Sequence, residues 1–206
     1  MGRVPRGATV LSCHKGFDEV LTVGNNVALA SRLGMDVTRG AVIQGYKGDA
    51  ERTIGIVGPI GATSGAALRN QIEAEFGSLA EGTSCFGFDE DVACPVRADI
   101  NTIAIMNAFQ PAEVERVATK ALELDLVTPS AAGRGRILYL TGAVRELGLT
   151  AALDKGMAVV CVGHRTCEEW GIRHLARTLR EAWPSIEVDT ILEDENTNND
   201  SEGGMK

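Results

Sequence analysis

The chain has 206 residues, 44% hydrophobic but only 4% aromatic, and a formal net charge of −8. Such a length suits one large or two small α/β units with a core of Ala, Val, Ile and Leu. The last fourteen residues, "EDENTNNDSEGGMK", hold five acids and one lysine, a net of −4, so the body is only mildly acidic. It has no basic stripe, and nucleic-acid binding is not expected. No run approaches the roughly 18 apolar residues of a membrane span.

The start, "MGRVPRGATV", lacks the apolar segment of a secretory signal. "ATVLSC" (8–13) reads as a buried strand, and "DEVLTVGNNVALASRLGMD" shows helical spacing at Val27, Leu29, Ala30 and Leu33, with Gly34 as its stop. "GAVIQGY" and "RTIGIVGPI" read as strands separated by the turn "KGDAE". "SGAALRNQIEAEFG" is a helix capped by Ser64. Residues 78–100 mix Gly, acids and a proline and form a connection with one strand at most. Beyond it, "NTIAIMNAF", "RILYLTG", "MAVVCVG" and "IEVDTIL" are strands. "PAEVERVATKALEL", "AVRELGLTAALDKG" and "TCEEWGIRHLARTLREAW" are the intervening helices. This alternation predicts an α/β fold with mainly parallel sheets and flanking helices. The expected organisation is a first α/β segment over 1–77, a connection over 78–100, a second α/β segment over 101–192 and a disordered acidic tail over 193–206.

Five cysteines (Cys13, Cys85, Cys94, Cys161, Cys167), odd in number and without C-x-x-C, fit reduced thiols in a cytoplasmic protein. Two of the three histidines stand four residues before a carboxylate, each just after a predicted strand: His14 with Asp18, and His164 with Glu168. Ligands gather at strand carboxyl ends in parallel sheets, and imidazole and carboxylate both suit divalent metals. On spacing alone each pair also reads as a loop histidine and an acid near a helix start. Thr166 and Glu169 have capping-box spacing, which would start the last helix at Thr166 and put Glu168 in its first turn. Arg134 and Arg136 lie in a loop that could meet a phosphate or simply be solvated. His174 falls mid-helix as a surface or packing residue. No P-loop and no G-x-S-x-G elbow is present.

Two segments carry a family resemblance. "SCHKGFDEVLTVGNNVALASRLGM" matches an H-x-x-x-D pair followed by a Gly-Asn turn and a helix ending in Leu-Gly. "ILYLTGAVRELGLTAALDKGMAVVCVGHRTCEEWG" matches a Thr-Gly strand end, a helix and a strand closing in G-H-x-x-x-E. The chain thereby resembles the dinuclear metal-centre family also called GTP cyclohydrolase I type 2 homologues, or Ngg-one-interacting-factor-three-like proteins. The resemblance implies a two-lobed α/β fold, a homo-hexamer, and divalent metal ions held by His14, Asp18, His164 and Glu168. The donors do not choose among zinc, iron, manganese and magnesium. The implied activity is metal-dependent hydrolysis of a nucleotide-like small molecule; the alternative is a non-catalytic metal-binding or scaffold protein. Family members carry a long stretch before the first motif, ending in a His-His pair that completes the site. No His-His occurs here, Ala143 replaces an aspartate and Arg165 a tyrosine. The fold is therefore expected to be incomplete relative to the family, as in a truncated gene product, a shortened isoform or an inactive paralogue.

Overall fold

The computed structural model describes residues 6–11, 17, 20, 24–77, 83–88, 99–130, 133 and 136–191. In chain order these give α1 (Asn25–Arg32), β1 (Ala41–Gln44), a 3-10 turn (Tyr46–Gly48), β2 (Thr53–Thr63), α2 (Gly65–Phe76) and β3 (Ser84–Phe86). Then follow β4 (Ile100–Met106), α3 (Pro111–Glu123), β5 (Ile137–Thr141), α4 (Glu146–Asp154), β6 (Ala158–Cys161) and α5 (His164–Ala182).

The six strands form one sheet in the order β1-β2-β4-β5-β6-β3. β4, β5 and β6 are parallel and joined by the α3 and α4 crossovers. β1 with β2, β2 with β4, and β3 with β6 are antiparallel. The α/β class with flanking helices is as expected. The described strands share one mixed sheet, parallel at β4, β5 and β6 and antiparallel toward both edges, to which segments before and after residues 78–100 both contribute. One reason is local. The 45–52 connection between β1 and β2 is too short for the crossover that parallel strands need.

The central strands are buried on both faces. In β5, Leu138 and Leu140 point to the layer of α1, α2 and α5, and Ile137 and Tyr139 to the layer of α3 and α4. This period of two explains why "ILYL" is apolar throughout. The buried Tyr139 hydroxyl donates to the Ala108 carbonyl at 2.6 Å, so its polar atom is satisfied.

Helix ends follow local chemistry. The Ser64 hydroxyl accepts from the Ala67 N–H at 3.2 Å, which caps α2 as expected. α1 closes with the Met35 N–H on the Ala30 carbonyl and the Gly34 N–H on the Ser31 carbonyl, Gly34 having φ +81°. That is a Schellman closure with glycine in the left-handed position. The same closure ends α4 at Gly156 and α3 at Asp125, where no glycine announces it.

Two expected strands are corrected. Residues 8–11 and 186–191 are not in strands; "ATVLSC" otherwise falls outside the described residues. Val10, Leu11, Ile186 and Ile191 are exposed, so their strand-like composition finds no sheet neighbour among the described residues. The expected tail lies outside them too. No described helix is long and apolar enough to cross a membrane.

Candidate metal centre

The parallel strands end together. β4 runs into Asn107, β5 into Gly142, and β6 into Val162 and Gly163. The Val162 N–H donates to the Thr141 carbonyl at 3.0 Å and extends the β5–β6 ladder to the turn. A Cβ on Gly142 would lie 3.3 Å from the His164 Cα, 3.5 Å from Cys167 Sγ and 3.6 Å from Asn107 Oδ1. These strand ends and the first turn of α5 therefore meet at Gly142.

Gly163 sets the position of His164. Its φ of 97° and ψ of 138° are open to glycine and strained for other residues, and they turn the strand directly into the helix. The Cys167 N–H then donates to the Gly163 carbonyl at 3.1 Å, and α5 begins at His164. The expected capping box is thus corrected. Thr166 already lies inside the helix, where it cannot adopt the extended backbone of a cap, and Glu168 falls beyond the first turn. Glu169 instead accepts from Arg165 Nε at 2.6 Å and lies 3.8 Å from Arg173 Nη2.

One turn of helix brings His164 and Glu168 together, with Nε2 3.2 Å from Oε1. Their side chains are 69% and 49% exposed. As a surface pair they add little stability, at most about 0.5 kcal/mol. Their spacing does suit a shared cation. Two donors about 2.1 Å from one metal, at tetrahedral or octahedral angles, stand roughly 3.0–3.4 Å apart. Among the described residues no group of three or more His, Cys, Asp or Glu side chains converges on a metal position.

His14 and Asp18 lie outside the described residues. Phe17, between them in sequence, is described, and a Cβ on Gly171 of α5 would meet its Cε1 at 3.1 Å. Arg134 also lies outside. Arg136 Nε donates to the Asp99 carbonyl at 3.1 Å and ties the loop before β5 to the start of β4. Cys161 is a core residue, its thiol pushed up to about 11 by burial and by neighbouring Cys85.

Sequence reasoning passed over Asn107 and the Thr141 hydroxyl. Thr141 Oγ1, at the end of β5 beside the Gly142 approach, is buried without a hydrogen-bond partner among the described residues. The available signal was a polar residue closing an apolar strand, as in "NTIAIMN" and "ILYLT".

Comparison with known proteins agrees with this architecture. The sequence model of Duf34/NIF3 (NGG1p interacting factor 3) matches residues 4–199. No curated protein sequence matches the chain significantly. Three solved structures are similar in fold. The structural-genomics structure of protein ybgI, of unknown function, has a TM-score of 0.53 and 22% identity over 82% of this chain and 55% of its own. Reduced HcgD from Methanocaldococcus jannaschii has a TM-score of 0.55 and 16% identity, over 82% of this chain and 55% of its own. A Staphylococcus aureus protein, SA1388, has a TM-score of 0.51 and 12% identity, over 88% of this chain and 64% of its own. The chain thus spans about 55% of the length of the first two.

Proposed function

The chain belongs to the Duf34/NIF3 family, and on that premise we propose that it is a divalent-metal-binding protein with His14, Asp18, His164 and Glu168 as ligands. The observation that carries this reading is the 3.2 Å approach of His164 Nε2 to Glu168 Oε1 at the carboxyl end of β6. The contact of Phe17 with Gly171 supports it, because Gly171 lies on the helix that carries His164 and Glu168.

In this reading His164 binds as a neutral imidazole, since a metal replaces a proton at Nε2. The two carboxylates offset the cation's charge. Exposure of both side chains of the described pair leaves room for water or substrate beside them. The chemistry such a cation supplies is Lewis acidity, which suits hydrolytic attack on a ring carbon or phosphoryl group of a nucleotide-like small molecule. The second reading is a non-catalytic metal-binding or scaffold protein working as a homo-oligomer.

Elemental analysis of the purified protein, with turnover assays on GTP and a generic phosphodiester, separates these readings. The expected result is copurifying metal whose affinity falls in His164→Ala and Glu168→Ala by more than the roughly 10–100-fold typical of losing an outer-shell partner. Turnover lost with the metal supports the hydrolase, and metal without turnover supports the scaffold. Protein that neither retains nor takes up a divalent cation refutes both.

A further inference from the structure

A second polar cluster ties three helices together away from the strand ends. Arg32 of α1 donates Nε and Nη2 to the two carboxylate oxygens of Glu75 on α2, at 3.0 and 2.9 Å. Glu75 Oε1 also accepts from Trp170 Nε1 of α5 at 3.1 Å. Trp170 is buried against Phe76, and one turn further along α5 the His174 ring stacks on it, with centroids 5.2 Å apart and planes within 2°. His174 Nδ1 is buried and has no hydrogen-bond partner among the described residues.

We propose that His174 is an acid-sensitive latch, holding α5 against α1 and α2 only while its imidazole is neutral. With its proton on Nε2, the neutral ring presents a bare lone pair at Nδ1. Protonation would place an N–H donor at Nδ1, in a position with no acceptor among the described residues. The charged groups around the ring are Arg32 from α1, Glu75 from α2, and Arg177 and Glu181 from α5. Glu75 is the carboxylate that α2 offers, and Arg32 and Trp170 already engage both its oxygens. To satisfy the new donor, either Glu75 releases Trp170 Nε1 or α5 shifts on its neighbours.

Burial, then Arg177 and Arg32, hold His174 below the usual histidine range, against the smaller opposing pull of Glu75 and Glu181. The unfolded chain therefore takes up this proton first. The stabilisation is complete above about pH 6.5 and declines as pH falls from there through the lower folded-state value. The latch does not depend on the metal reading, because His174 lies ten residues, about 15 Å of helix, from His164.

The experiment uses the full chain with Trp183→Phe, which leaves Trp170 as its single tryptophan. Tryptophan fluorescence and amide hydrogen exchange along α5 are followed from pH 8 to 5. The same measurements are made with His174→Gln and with His174→Phe, which keeps a stackable ring. In the parent, fluorescence should change with a midpoint below 6.5 and exchange in the middle of α5 should accelerate about fivefold or more beyond the intrinsic pH effect. Its unfolding constant in urea should rise, relative to both variants, by up to the tenfold per pH unit that one proton allows. Both variants should be flat over the same range. A fluorescence change without faster exchange would mean the cation merely quenches Trp170, and the latch fails. An acid transition that survives in both variants also overturns it.

Discussion

His164 stands at the first position of α5 with 69% of its side chain exposed, whereas His174 has its Nδ1 buried and its ring on Trp170. Helical spacing places His164, Cys167, Gly171 and His174 on one side of α5, so the helix face does not separate the two histidines. Position along the axis does. At Cys167 and Trp170 that side lies on the core cluster that includes Phe76 and Leu140. At His164 it has just left β6, and the sheet gives it no cover. The residue four positions away then decides the chemistry: Glu168 makes a two-donor pair with His164, while Trp170 makes His174 part of a packed interface.

Changes at each end should therefore separate stability from binding. The largest effect is expected from Trp170→Ala, which should destabilise the fold by about 3–5 kcal/mol in urea denaturation, because it empties a buried indole site and removes one of the donors to Glu75. Next comes Glu75→Gln, expected to cost about 1.5–3 kcal/mol by the same measurement, since the amide keeps one acceptor oxygen and sets an NH2 donor against the donors of Arg32 or Trp170. The smallest is His164→Ala, within about 0.5 kcal/mol of the parent, as befits an exposed side-chain pair. That same variant should lose metal, while Trp170→Ala that still folds should retain it. Equal losses of stability at both ends would erase the contrast.

Much of the architecture was legible in local residue patterns. Ser64 capped α2 and Gly34 stopped α1 because a hydroxyl acceptor and a left-handed glycine satisfy helix ends without outside help. The Asp125 closure of α3 carried no such sign, since aspartate rarely takes φ +54°. Thr166 and Glu169 imitated a capping box, but Gly163 had already turned the chain three residues earlier. "IEVDTIL" had a strand's composition, yet a strand exists only by pairing, and its backbone is engaged instead through Arg180, whose guanidinium donates twice to the Val188 carbonyl.

The candidate centre was half legible. The H-x-x-x-E spacing made His164 and Glu168 neighbours as soon as that stretch was helical, and the 3.2 Å separation follows from one helical turn. Nothing local could show that Phe17 touches Gly171, or that Glu75 reaches Trp170 across 95 residues.

The amino-acid sequence by itself determined which stretches become helix or central strand, because a period of two or of 3.6 and the capping residues act over a few neighbours. It also determined that an imidazole and a carboxylate share a turn at the end of β6. Only the tertiary structure decided that the described strands share one mixed sheet, that β3 lies at its edge beside β6, and that one histidine of α5 is half-buried on Trp170 and the other exposed. Those outcomes depend on which distant surfaces exclude water from each other, and no local stretch of chain carries that information.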